Sequence, residues 1–250
     1  MRAIFTRLAA ALLLVGWAHA ASAQTADEVI DKALNAVGGR AALATVKSRS
    51  ATGTITLSTP AGDFEGSIAI LNAVPNRSRS LIKADLPALG VGSLILDQRF
   101  NGSTGYVLDS LQGNRDITGN QLDNLKNGSF PHPFLTYKEM GITAKLTGKE
   151  KVGDRDAYVL IFDPPSGSVV RHYVDAETYL PIKLAIKVNV PQLGQDVEQE
   201  TEFLDYKEVD GIKLPFRVKA QSSVQNYTVV FTKIEHNVLV DETLFSKPEK

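Results

Sequence analysis

The stretch from Val169 to Lys219, VVRHYVDAETYLPIKLAIKVNVPQLGQDVEQETEFLDYKEVDGIKLPFRVK, decides the fold. Ile182, Leu184, Ile186, Val188 and Val190 alternate with Lys183, Ala185, Lys187 and Asn189, the period-2 pattern of a strand with one buried and one wet face. After Pro191 to Gln195 the alternation resumes, with Val197, Gln199, Thr201 and Phe203 against Glu198, Glu200 and Glu202. Paired as a hairpin, these two segments set glutamates across from lysines, worth about 0.2–1 kcal/mol per pair. A third segment sets Ile212, Leu214, Phe216 and Val218 against Lys213, Pro215, Arg217 and Lys219, and Pro215 within it points to an edge or a bulge. The spacing predicts a broad antiparallel sheet with one apolar face.

The N-terminus reads differently. Arg2 and Arg7 make a basic start, Leu8 to Trp17 an apolar run, and Ala21-Ser22-Ala23 a small-residue cleavage site, so residues 1–23 are expected to be a signal peptide cleaved after Ala23. The apolar run is shorter than the ~20 residues a spanning helix needs. The remaining 227 residues suit one domain, 24–250, in the periplasm or secreted. Without Arg2 and Arg7 there are 25 basic residues against 28 acidic ones, a weak acidity that argues against nucleic acid as a partner. There is no cysteine, so stability must come from a core and not from disulfides.

Along the chain, Thr25-Ala26-Asp27-Glu28 is a capping box opening a helix whose apolar stripe is Val29, Ile30, Ala33, Leu34 and Val37, and Gly38-Gly39 ends it. Strands are expected over Thr52–Thr59, Phe64–Ala73, Arg77–Ala84, Ser93–Phe100 and Thr104–Ser110, with a hairpin at Asn101-Gly102. The loop from Asp85 to Gly92 is unusually apolar, and core packing is its expected fate. Between Thr118 and Met140 the alternation disappears, and short helices interrupted by Pro131-His132-Pro133 are expected to pack on the sheet. Strands then recur from Thr143 to Ile234.

Chemistry is hard to find. His132, His172 and His236 show no metal-ligand spacing, so neither a metal nor a cofactor is expected. No serine lies in a G-x-S-x-G elbow, and the paired carboxylates Asp154/Asp156 and Glu198/Glu200/Glu202 read as solvated charge. A catalytic site is therefore not expected. A wide antiparallel sheet does tend to curl, and incomplete curling leaves a trough that short helices can roof.

The string from Arg171 to Lys183, RHYVDAETYLPIK, followed by Asp205-Tyr206-Lys207 and Val209-Asp210-Gly211-Ile212-Lys213-Leu214-Pro215, resembles exported outer-membrane lipoprotein-sorting-like proteins of the LolA/LolB-type superfamily. The Gly148 to Gly153 turn and the closing Phe245-Ser246-Lys247-Pro248 are in keeping with it. The resemblance implies an incomplete antiparallel β-barrel, of about eleven strands by the alternation, with helices over a hydrophobic cavity. It also implies a lipid or acylated protein as partner; an envelope membrane protein is expected as a further one, and the protein itself as a monomer.

The resulting expectation is a non-catalytic carrier burying an acyl chain against Ile55, Leu57, Ile68, Ile70, Leu94, Leu96, Leu184 and Ile186. Leu122, Leu125, Phe130, Phe134 and Leu135 would form its lid. The alternation leaves open which strand faces point inward, because a slip of one residue exchanges them. The alternative is an envelope interaction or sensor domain whose core is filled by its own side chains.

Overall fold

The computed structural model describes residues 24–248 apart from 88, 89, 91 and 191–193. The signal-peptide reading at 1–23 and part of the apolar loop after Asp85 lie outside the described residues. No described helix is long and apolar enough to cross a membrane.

The capping box forms as read: Glu28 N donates to Thr25 Oγ1 at 3.2 Å and Thr25 N to Glu28 Oε2 at 2.9 Å, opening helix α1 (Ala26–Ala36). Helix α2 (Gly39–Thr45) follows at once. Gly38 joins them at φ 132°, and a Cβ there would stand 2.5 Å from the carbonyl oxygen of Gly211. Gly38→Ala is therefore expected to cost about 1–3 kcal/mol, read as a lowered midpoint in urea unfolding.

Thirteen strands follow: β1 (Ser48–Thr59), β2 (Gly62–Ala73), β3 (Arg77–Asp85), β4 (Ser93–Phe100), β5 (Gly105–Asp109), β6 (Arg115–Ile117), β7 (Thr143–Val152), β8 (Arg155–Asp163), β9 (Val170–Asp175), β10 (Pro181–Val190), β11 (Gln195–Val209), β12 (Ile212–Gln221) and β13 (Asn226–His236). They make one antiparallel sheet in the order β6-β5-β4-β3-β2-β1-β13-β12-β11-β10-β9-β8-β7. Consecutive strands are neighbours, with two exceptions. β1 pairs with β13 in the middle of the sheet, and β6 and β7, consecutive in the chain, are its two edges. The result is an unclosed antiparallel barrel, with residues 118–142 running from one edge to the other.

The sheet holds two more strands than the eleven expected. The strand with no expected segment is β6, whose three residues are too short to alternate. The helical expectation for 118–140 holds only for α3 (Gly119–Lys126), which carries Leu122 and Leu125. Phe130, Phe134 and Leu135 lie in turns. Pro131 and Pro133 lack the amide proton a helix needs and push Phe130 and His132 out of the helical region. Pro215 does sit at a local edge, since β13 pairs with β12 only from Arg217 onward.

Register assigns the faces. Lys183 lies opposite Glu202 and Lys187 opposite Glu198, with Lys183 Nζ 2.6 Å from Glu200 Oε1, so the charged positions share the outer face. On the inner face two rows of directly opposed residues cross the sheet. One is Phe203–Val218–Val229–Ile55–Gly66–Ala84–Leu94, and the other Leu160–His172–Leu184–Thr201–Ala220–Tyr227–Leu57–Phe64. The C-terminal 3-10 turn (Glu242–Phe245) packs against β3 and β4, where Phe245 is buried beneath the Arg77 guanidinium.

Candidate functional site

The inner face is covered unevenly. Over β8, β9 and the start of β12 it is filled by the chain itself. Val29, Ile30, Ala33 and Leu34 of α1 and Leu43 of α2 pack with Phe134, Tyr137, Leu160, Phe162 and Val174 in one buried cluster. Residues 129–141 are tied down over this half, with Tyr137 Oη donating to Asp27 Oδ1 at 2.5 Å and Lys138 Nζ to Asp27 Oδ2 at 2.7 Å. The Phe134 ring meets His132, Phe162 and His172 at centroid distances of 5.0, 5.2 and 5.1 Å.

Over β1–β4, β12 and β13 the inner face is different. Ile55, Leu57, Ile68, Ala84, Leu86 and Val229 are buried, and Phe64, Ile70, Ile82, Leu94, Val218, Tyr227 and Phe231 pack half-buried around them. This cluster draws no member from α1, α2 or α3. Leu86, the first apolar residue of the loop after Asp85, is tucked into it as expected, its amide donating to the Gly92 carbonyl at 3.2 Å.

Beside the filled half lies a cavity of about 210 Å³. Its walls are mostly apolar, with Val37, Leu43, Phe134, Leu184, Phe203, Ile212 and Leu214 beside Pro131, Pro133, Pro181 and Pro215. Five other side chains, Arg49, His132, His172, Tyr206 and Lys213, complete it. Arg49 heads β1 in the same alternation phase as Ala51, Gly53, Ile55 and Leu57, so the strand turns this arginine inward. Its Nε donates to His236 Nε2 at 3.2 Å, an Nη2 hydrogen reaches the Pro131 carbonyl at 3.5 Å, and the guanidinium lies 5.3 Å from the Phe130 ring centre. Among the described residues, no ion pair joins it to a carboxylate. Burial draws its pKa down to about 10, which still leaves it charged at neutral pH.

The histidines are neutral in this setting. Burial holds His172 at a pKa of about 4 and His132 at about 3, the latter lowered further by His172 and Arg49. His132 Nδ1 accepts from Phe134 N at 3.2 Å, which leaves the ring proton on Nε2. His236 accepts at Nε2 from Arg49 and contacts Asp210 Oδ2 through Nδ1 at 3.2 Å, so both of its ring nitrogens are engaged. Among the described residues, no group of His, Asp and Glu could hold a metal ion.

The residues expected from sequence fall into three places. Ile55, Leu57, Ile68, Ile70 and Leu94 belong to the open apolar cluster, and Leu96 faces the same way, directly opposite Ile82. Leu184 and Phe134 line the cavity, with Phe130 and Leu135 packed against the filled half. Ile186 instead borders an open groove of about 460 Å³ shared with Asn120, Ser168, Lys187 and Glu198, away from the apolar cluster.

α3 bridges the gap between the two sheet edges. Leu125 sits so close to Gly105 that a Cβ there would be 3.2 Å from its Cδ1, while Asn120 and Asn124 donate to Ser168 Oγ on the far side at 3.1 and 3.2 Å. Leu122 is half-buried on the same helix. Arg49, His132, His172 and Tyr206 were not anticipated as lining residues. For Arg49 the signal was its inward phase on β1.

No protein-family model matches the chain, and no curated protein does. The fold is shared with solved structures across nearly the whole length. A DUF1329 family protein from Desulfovibrio piger ATCC 29098 is 14% identical with a TM-score of 0.58, covering 90% of this chain and 98% of its own. A LolA superfamily protein from Nitrosomonas europaea is 17% identical with a TM-score of 0.55, covering 90% and 99%. An outer membrane lipoprotein-sorting protein domain from Vibrio parahaemolyticus is 15% identical with a TM-score of 0.54, covering 88% and 97%. The fold is thus that of LolA-superfamily and lipoprotein-sorting-domain structures.

Proposed function

We propose that this protein is a non-catalytic carrier that holds a lipid acyl chain against the inner face of its open barrel. It would work in the periplasm or outside the cell after loss of residues 1–23. The observation behind this reading is the split inner face: one half is sealed by the chain's own helices and Phe134, while the other keeps Phe64, Ile70, Ile82, Leu94 and Phe231 half-buried with no helix in the cluster. The open half adjoins the cavity along the Phe203–Val218–Val229–Ile55 row, whose first member lines the cavity and whose other three belong to the apolar cluster. From Arg49 to Leu57 this trough runs about 26 Å at ~3.3 Å per residue. Each buried methylene is worth about 0.8 kcal/mol, so a long chain needs no polar anchor to be held.

Ile55, Leu57, Ile68, Ile70, Leu94, Leu96 and Leu184 would form the floor, and Phe130, Phe134 and Leu135 a fixed end wall. Leu122 and Leu125 would close the gap between the edges. An acylated protein would present the same chemistry as a free lipid, so either serves as partner.

The test is to purify the protein without detergent, extract with solvent and identify what is released. The wild type is expected to carry lipid and, once stripped, to take up a fluorescent fatty acid. Ile82→Glu, which sets a charge on the trough floor, is expected to weaken that uptake about tenfold or more while the circular dichroism stays unchanged. Clean apo protein that takes up no probe would instead favour an interaction domain filled by its own side chains.

A further inference from the structure

We propose that the Arg49 end of the cavity is an anion site, which takes the carboxylate or phosphate head of an amphiphile whose chain lies in the trough. This rests on the carrier reading above and narrows its ligand. An arginine turned toward an apolar surface is costly unless a counter-charge meets it. Here none does from within. The carboxylate of Asp210 reaches only the far nitrogen of His236, and Lys213, the other charged group on the cavity wall, is itself a cation. Two of the five guanidinium donors are used, one by His236 Nε2 and one by the Pro131 carbonyl at a long 3.5 Å.

A second donor faces the same space. The His132 ring lines the cavity, and its Nδ1 is occupied by the Phe134 amide, so the Nε2–H is the one left to offer. A planar fork beside a neutral imidazole N–H suits a group with two or three negatively charged oxygens better than a hydroxyl or an ester. Ala51, Gly53, Ile55 and Leu57 follow Arg49 along β1 in the same phase, so a chain attached to the bound head would point along that strand toward the apolar cluster.

The test compares a long-chain fatty acid with the alcohol of the same length, by displacement of a fluorescent lipid from stripped protein. The acid is expected to bind more tightly than the alcohol. Arg49→Gln is expected to remove that preference, lowering affinity for the acid about 10- to 100-fold, the range of a charge-assisted hydrogen bond, and leaving the alcohol within about twofold. Should R49Q fail to fold, Arg49→Lys keeps the charge but not the fork and is expected to lose affinity for the acid alone.

Equal binding of acid and alcohol by the wild type, with no selective effect of either variant, would overturn the anion site and leave the carrier reading standing. Binding of neither ligand would sink the carrier reading itself. Acetate and inorganic phosphate are the control for a free anion. If either displaces the probe in an Arg49-dependent way at the concentration where the fatty acid does, the site takes small anions and not lipid heads.

Discussion

Phe134→Ala is expected to lower the free energy of unfolding by about 3–5 kcal/mol, the usual cost of removing a fully enclosed aromatic ring. Phe134 is 0% exposed and stands at the meeting point of the 129–141 segment, β8 and β9, with the rings of His132, Phe162 and His172 around it. Its neighbours cannot close in, because Phe162 and His172 are held on paired strands and Pro131 and Pro133 stiffen the segment above. For a chain of this size the loss corresponds to a melting temperature lower by about 6–20 °C. Thermal unfolding followed by circular dichroism measures it, and Phe134→Leu should give back part of the loss. A change below about 1 kcal/mol would mean that the filled half of the inner face is not a rigid core.

Acid should begin to weaken the fold at a pH above the range where carboxylates titrate. His172 is buried among aromatic rings, and burial lowers its pKa from 6.5 to about 4. Between those values the unfolded chain binds a proton that the folded chain refuses, so stability is complete above pH 6.5 and falls as the pH drops toward 4. At 1.36 kcal/mol per pKa unit, His172 alone accounts for about 3 kcal/mol by the bottom of that window. His132 acts in the same direction down to about pH 3, and burial lowers the pKa of His236 as well, against the pull of Asp210. Urea unfolding at pH 7 and pH 4.5 should show this loss in the wild type, smaller by about 2–3 kcal/mol in His172→Phe. An unchanged pH dependence in that variant would show that the imidazole is not held neutral by its surroundings.

Much of the sheet was legible because alternation survives wherever one face is wet. Leu184 to Val188 and Val197 to Phe203 run in phase, and the lysines and glutamates between them fall opposite one another in the observed register, whereas a bulge at Pro181 and Lys183 turns Ile182 to the outer face, where it packs with Tyr173 and Ala185. β6 was not legible, since three residues hold no period. The cavity was only partly so. Arg49 follows the phase of Ile55 and Leu57 back to the start of β1, but a charge beginning a strand is more simply taken as its solvated end. His236 was hidden more thoroughly. A bulge where β13 passes Thr52 and Gly53 shifts the alternation by one, so Tyr227, Val229 and Phe231 point inward on odd numbers, and Ile234 and His236 on even ones. Phe130, Phe134 and Leu135 were read as inward but given a helix, because apolar content was visible and the proline geometry around it was not.

The pairing of β1 with β13 also governs when this molecule can come into being. Every other strand pairing joins consecutive strands, so β1–β6 and β7–β13 are two meanders that each need only local segments of chain. The seam between them brings Arg49 to His236 across 187 residues, and it cannot form until the last strand has emerged from synthesis or export. Long-range pairing of this kind is the slow part of β-sheet folding. The Ile55–Val229 pair of the apolar cluster lies on that seam. A partly made chain therefore lacks the join between its two meanders, and the apolar cluster that spans β1–β4, β12 and β13 stays incomplete until the last strand arrives.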